Sequence, residues 1–262
     1  MTHHSARTDG PTFSVVIPCR NDAELLDRCL ASFAAQLRPA DEIIVVDNAS
    51  TDHTRQVALR HGARVVDEPR EGITWATKAG FDAAVSDVFV RVDADVHVEP
   101  DYLQKLQDVW QAADSSPGRR VVGVTGSARF DLDGPAGDFA SSAYLGAYRA
   151  SVGSALGHHP LYGTNCSIRA DWWARVREDV DFSDTLVHDD MHLSFAVGED
   201  ETIWFQPDLV VGMDDRALRG IRQIIVRFYR GFYTMVRNWR DHPPHRRLAR
   251  RGRLGKTLKE AM

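Results

Sequence analysis

Four short apolar runs, rich in β-branched residues, punctuate the first hundred positions. Phe13–Pro18 (FSVVIP), Glu42–Asp47 (EIIVVD), Ala63–Val66 and Val88–Val92 (VFVRV) each have the length and composition of a buried strand. Between them the spacing becomes helical. Leu25, Leu26, Cys29, Leu30 and Phe33 share one face after Asp22, which suits an N-cap, and Pro39 breaks the pattern. Ser50-Thr51-Asp52 opens a second helix that Gly62 ends, and residues 72–85 read as a third. This β-α-β-α-β-α-β alternation predicts an α/β fold: a mostly parallel central sheet with helices on both faces and right-handed crossovers.

Farther along, the pattern predicts a helix after Pro100 (Leu103, Leu106, Val109, Trp110) and a strand over Arg120–Val124. A loop follows over 131–137, then helices near 139–155, 170–176 and 189–197, with a strand near 202–205. Leu218, Ile221, Ile225, Phe228, Phe232, Met235 and Trp239 recur at alternating spacings of three and four, one apolar stripe on an amphipathic helix. The chain thus divides into a flexible N-terminal tail (1–12), an α/β domain (13–215) and a basic helical C-terminal segment (216–262).

Hydrophobic residues make up 43% of the 262 and charged residues 26%, which excludes wholesale disorder and a disulfide framework. No apolar run approaches the ~18–20 residues a membrane span needs. The polar start MTHHSARTDGPT lacks the apolar core of a secretory signal, and Cys19, Cys29 and Cys166 read as free thiols in a reducing cytoplasm. The net charge of −5 conceals a split. Residues 216–262 hold 14 Lys/Arg against 2 Asp/Glu, whereas residues 1–215 hold 18 against 35. A basic segment of this kind calls for an anionic membrane surface, a nucleic acid or the acidic domain itself as partner; no nucleic-acid-binding motif accompanies it.

In parallel sheets ligands bind beyond the carboxyl ends of strands. Here those ends carry Pro18-Cys19-Arg20-Asn21-Asp22, Asp47-Asn48-Ala49-Ser50 and Asp93-Ala94-Asp95. Asp93 and Asp95, two apart on an extended segment, point the same way and suit a hard divalent cation that also bridges phosphates. No glycine-rich phosphate loop is present, so a bound nucleotide would rely on metal for charge neutralisation. Asp47 reads equally as a hydrogen-bond acceptor for a base or ribose and as a turn former. Asp189-Asp190 reads as a helix cap or as a general base.

Taken in order, SVVIPCRND, VVDNASTD, VDADVHVEPDYL and DDMHLSF resemble the family-2 inverting glycosyltransferases of GT-A fold, over about residues 13–215. The resemblance implies a non-processive, metal-dependent enzyme that uses Mg²⁺ or Mn²⁺. The donor would be a nucleoside-diphosphate sugar, UDP-linked by first expectation and GDP-linked by second. The acceptor would be a glycan or lipid-linked hydroxyl of a cell-envelope glycan, glycolipid or polysaccharide. Pro18, Arg20 and Asn21 match the first nucleotide-binding loop, Asp47 the base contact, Asp93 the ribose side and Asp95 the metal side of an Asp-x-Asp pair that encloses Ala94. Asp190 matches the catalytic base, preceded by Asp189 where the family has Glu. Gly163-Thr164-Asn165 resembles the acceptor-side Gly-Gly-Asn. Lys78 stands where an arginine is usual, facing phosphate. A late histidine ligand is missing; Asp214, Asp215 or water would replace it.

Two other function classes share some of these features: a sugar-phosphate nucleotidyltransferase, which lacks its glycine-rich loop here, and a non-catalytic nucleotide-sugar-binding protein. The amphipathic C-terminal helix is expected either to cover the domain, to lie on an anionic membrane as a peripheral anchor on its inner face, or to form a dimer seam. The chain beyond Pro243-Pro244 reads as a mobile basic tail. His158-His159 and Trp172-Trp173 read as acceptor-side residues or as packing.

Overall fold

The computed structural model describes residues 10–132, 135–218 and 221–252. Eight strands, β1 (Phe13–Cys19), β2 (Glu42–Asp47), β3 (Arg64–Asp67), β4 (Val88–Val92), β5 (Val96–Val98), β6 (Arg120–Phe130), β7 (Asn165–Arg169) and β8 (Glu201–Met213), form one sheet in the order β3-β2-β1-β4-β7-β6-β8-β5. The first four pair in parallel, as their alternation with α1 (Ala23–Ala34), α2 (Thr54–Arg60) and α3 (Ile73–Ala83) predicts. Strand β7 is antiparallel to both of its neighbours, β4 and β6. β6 and β8 run parallel, and β5 closes the far edge antiparallel to β8.

The strand period of two sorts side chains into two cores. Val15, Ile17 and Val45 join Leu26 and Leu30 of α1 and Leu103, Leu106 and Trp110 of α4 (Tyr102–Asp114). Val16, Ile44 and Val46 join Ala76 and Phe81 of α3 and Trp172 and Trp173 of α6 (Ala170–Val176). The tryptophan pair is thus buried packing. Gly80 lets α3 approach the sheet, since a Cβ there would lie 2.3 Å from Val16 Cγ1.

The structure extends the sequence-based expectations in two places. Strand β8 runs through Pro207, because the β6–β8 register shifts between Thr125 and Ser127 and leaves residues 206–209 out of the ladder. The Asn165 amide fills that irregularity, donating to Ser127 O at 2.7 Å and Leu209 O at 2.8 Å, while its Oδ1 accepts from Tyr102 Oη at 2.7 Å. Residues 244–251 are docked. Helix α9 (Pro244–Arg250) packs on α5 (Pro135–Leu156), and Arg247 donates to the carbonyls of Leu156, Phe195 and Val197, each at 2.9 Å. Arg251 donates to Gly198 O at 2.5 Å and Glu201 O at 2.6 Å. Guanidinium donors satisfy several carbonyls at once, which a basic sequence read by net charge alone does not reveal.

At the N-terminus, Thr12 is fixed by Asp87 (2.7 Å to its hydroxyl), so the expected tail ends before it; residues 1–9, like residues 253–262 of the basic segment, lie outside the described residues. Among the described residues no helix is long and apolar enough to cross a membrane.

Candidate active site

The carboxyl ends of β1, β2 and β4 meet in one cleft of about 540 Å³, lined by Pro18, Cys19, Arg20, Asp22, Asn48, Gly72, Ile73, Ala76, Asp93, Ala94, Asp95, Arg216 and Arg227. That is the size range of a small-molecule site. A second cavity, of about 430 Å³, lies among α9, α8 (Ile221–Trp239) and the loops on either side of α7 (Asp189–Ser194); it touches no strand end of the parallel half.

Two non-glycine residues at the cleft mouth adopt left-handed backbone, Asn21 (φ 54°) and Ala49 (φ 56°). The loops after β1 and β2 hold each other there. Asn21 Oδ1 accepts from Thr51 N–H at 2.7 Å, and Ser50 Oγ accepts from Asn21 N–H at 3.1 Å. Asp47 Oδ1 accepts from Ser50 N–H at 3.0 Å, the turn-forming role, while its side chain stays half-buried. The buried Asn48 fixes the floor: its amide donates to Glu68 O and Arg70 O and accepts from Gly72 N–H. Arg20 pairs with Glu71 at 2.7 Å on the exposed rim.

Three carboxylates and one arginine dominate the electrostatics. Asp22 grips Arg216 with both oxygens, at 2.6 and 2.9 Å, instead of capping α1. The same guanidinium donates through Nε to Asp95 Oδ2 at 2.8 Å. Burial, and then the charge of Asp93, push Asp95 up to about 6 despite Arg216.

Asp93 is held from behind. Arg91, buried on β4, pairs with Asp93 Oδ1 at 3.0 Å and reaches Asp189 Oδ2 at 3.5 Å. Asp189 also accepts from the Thr77 hydroxyl at 2.7 Å. Burial works against its ionisation, but Arg91 and Thr77 outweigh it and hold the carboxyl below the usual range. Asp190 is raised instead, first by burial and then by its charged neighbour Asp189. The two adjacent carboxyls are thus split into a fixed anion and a stronger proton acceptor.

Gly163 and Thr164 bridge the two acidic groups. Gly163 N–H donates to Asp190 Oδ2 at 2.7 Å, and Thr164 Oγ1 donates to Asp93 Oδ2 at 2.7 Å. Arg91 passes directly over Gly163, where a Cβ would lie 1.5 Å from its Nη1. The structure thus brings Pro18, Arg20, Asp93, Ala94, Asp95, Gly163, Thr164, Asp189 and Asp190 into one connected arrangement. Asn165 sits beside it but is 1% exposed, its amide spent on the sheet. Lys78 does not join: it lies on α3 against Asp82 at 2.5 Å, with the Trp173 ring below it. Arg91 and Arg216 were not anticipated, and Asp22 was read only as a cap and as part of the first strand end. A lone charged residue inside the apolar run VFVRV is the signal that marks Arg91; Arg216 carried only the general mark of a basic segment.

Residues 14–142 match the family model described as Glycosyl transferase family 2. The chain carries a family 2 glycosyltransferase domain. The matched segment includes Asp47, Asp93 and Asp95 and ends before α7. An uncharacterized glycosyltransferase of Mycobacterium tuberculosis strain H37Rv is 43% identical over 112 residues, which cover 42% of this chain and 50% of the relative. The chain therefore spans about half the length of the curated mycobacterial relatives it matches. Two solved structures share the GT-A fold. A mannosyltransferase from Pyrobaculum calidifontis, in complex with GDP-Man and Mn²⁺, aligns with a TM-score of 0.59 at 19% identity, covering 94% of this chain and 74% of that one. Glucosyl-3-phosphoglycerate synthase from Mycobacterium tuberculosis, in complex with Mn²⁺, UDP and glucosyl-3-phosphoglycerate, aligns with a TM-score of 0.57 at 20% identity, covering 87% and 80%.

Proposed function

We propose that this chain is an inverting glycosyltransferase that moves a sugar from a nucleoside-diphosphate sugar to an acceptor hydroxyl. The observation that carries the reading is the two-residue bridge: Gly163 orients Asp190 while Thr164, next in sequence, orients Asp93. One loop thereby sets the distance between a donor-side acid and a base.

The cleft beyond β1, β2 and β4 takes the nucleotide, with Pro18, Arg20, Asn21 and Asp47 on its base and ribose side. UDP-sugars are the first expectation and GDP-sugars the second. The donor set at Asp93 and Asp95 would fit a hard cation such as Mg²⁺ or Mn²⁺, since it offers carboxylate oxygens only. Among the described residues no group of three or more His, Cys, Asp or Glu is placed to hold a metal ion, and Asp93 and Asp95 are the residues that would hold it. When bound, such a cation offsets the charge of the departing nucleoside diphosphate as a Lewis acid. Arg216 supplies a second, permanent positive charge at the same edge.

Asp190 accepts the proton of the acceptor hydroxyl as that oxygen attacks the anomeric carbon from the face opposite the diphosphate. Its raised proton affinity suits the task, and Asp189, clamped by Arg91 and Thr77, keeps it raised. Holding both reactants in line supplies much of the acceleration.

Asp190→Asn tests the assignment. Donor binding, followed by calorimetry with UDP- and GDP-sugars, stays within a factor of about two, while turnover falls at least ~10²-fold. Turnover retained at the wild-type level overturns Asp190 as base.

A further inference from the structure

Helix α8 sits on the domain with its polar side inward. Thr234 and Asn238 are buried against α7: His188 N–H donates to Thr234 Oγ1 at 2.9 Å, and the His192 ring meets Asn238 Oδ1 at 3.0 Å. Arg230 donates to the carbonyls of Thr185, Leu186 and Val187 at 2.9–3.2 Å. Met235 and Trp239 pack at one margin against Val152, Leu156, Met191 and Phe195. The opposite face carries Ile225, Phe228, Tyr229, Phe232 and Val236, spaced by three and four and 37–71% exposed. An amphipathic helix that covers a domain buries its apolar stripe; here Met235 and Trp239 turn inward, while Ile225, Phe228 and Phe232 point outward.

The surrounding charge selects what covers it. The segment 216–262 holds 14 Lys/Arg against 2 Asp/Glu, and Arg240, Arg246 and Arg250 are exposed beside the stripe or on the adjoining α9. A second copy of this chain would bring two such basic segments together and be repelled. An anionic lipid surface offers the opposite charge and an apolar layer for the aromatic side chains. We propose that the outer face of α8 is a docking surface for an anionic bilayer. The inner face of the same helix seats α7, and Arg227 of α8 lines the cleft. On the reading of the cleft given above, docking brings that cleft to an acceptor carried by a lipid, with its hydroxyl at the headgroup level.

The test uses the full chain and vesicles of 70% phosphatidylcholine and 30% phosphatidylglycerol, beside vesicles of phosphatidylcholine alone. Co-sedimentation is expected with the anionic vesicles, at least ~10-fold weaker with the neutral ones, and reduced by 0.5 M salt. Phe228→Ser/Phe232→Ser lowers binding to the anionic vesicles by ~10-fold or more, with circular dichroism and melting temperature unchanged because both side chains are exposed. Equal binding by the variant, no binding by the wild type, or a wild-type dimer that the double substitution dissolves overturns the proposal. Nucleotide-sugar binding, measured on both proteins without vesicles, separates this from the cleft reading. Retained donor binding without vesicle binding defeats the docking surface alone, and vesicle binding without donor binding defeats the cleft reading alone.

Discussion

Gly163→Ala is the sharpest probe of the arrangement. A methyl group at this position would lie 1.5 Å from Arg91 Nη1 and 2.6 Å from Cζ, so the guanidinium must leave its place. It leaves two anions behind, Asp93 at 3.0 Å and Asp189 at 3.5 Å, of which Asp189 is 5% exposed. Breaking a buried ion pair costs about 3–5 kcal/mol. Asp93 keeps access to water and Asp189 keeps the Thr77 hydroxyl, so the lower end applies, about 3 kcal/mol. In a domain of this size each kcal/mol moves the melting temperature by about 2–4 °C, giving a fall of about 6–12 °C. Gly146→Ala in α5 serves as control: nothing lies within 4 Å of its Cβ position, and alanine favours a helix interior. Arg91→Met should cost about as much as Gly163→Ala, and the double variant little more than Arg91→Met alone, a coupling of about 2–3 kcal/mol. Thermal and denaturant unfolding of the four proteins measure the cycle. A Gly163→Ala variant within ~0.5 kcal/mol of wild type, or strict additivity with Arg91→Met, would refute the reasoning.

Two other predictions concern charge. Arg216→Gln removes the cation that Asp22 and Asp95 share, so Mn²⁺ should bind at least about tenfold more tightly to the protein alone, the scale of one nearby charge; unbound Mn²⁺ counted by electron paramagnetic resonance checks this, and unchanged or weaker binding contradicts it. His158 accepts from Arg247 at Nε2 (2.9 Å) and therefore carries its proton on Nδ1, which donates to His159 O at 2.7 Å. Burial, and then Arg247, hold its pKa well below 6.5. The unfolded chain takes up that proton first, so stability falls as pH drops below about 6.5, by up to ~1.4 kcal/mol per pH unit. His158→Gln should flatten the melting temperature between pH 7 and pH 5 relative to wild type, and an identical slope would exclude His158 as its source.

The place of the cleft was legible in the sequence, because a parallel βαβ alternation dictates where strand ends gather and polar residues at those ends then stand out. Asp93 and Asp95 stand out in this way; Asp189-Asp190 read equally as a helix cap and as a general base until the family resemblance singled out Asp190. What stayed hidden depends on contacts between distant segments. Asp22 has the composition of an N-cap and becomes the anchor of a residue 194 positions away. Lys78 matches a phosphate-facing position but turns to Asp82, one helical turn on, where a local ion pair needs no cleft. The stripe expected on α8 divides in the structure, with Met235 and Trp239 packed on the domain and Ile225, Phe228 and Phe232 exposed, because periodicity says only that a face is apolar and not which part of it meets a neighbour. The strand expected near 202–205 runs on through Pro207, because the irregularity opposite Gly126 leaves no need for its missing donor.

The position of β7 has a bearing on how the chain is made. It lies between β4 and β6, although some seventy residues separate it from β4 in the chain. During synthesis, then, VFVRV of β4 waits with one side open until Asn165–Arg169 emerges to zip it, and any product truncated before that point displays a sticky apolar ribbon ready to recruit strangers. Yield from a host cell should accordingly depend on how quickly the ribosome clears that interval, and a fragment confined to the N-terminal half should precipitate where the complete chain stays dissolved.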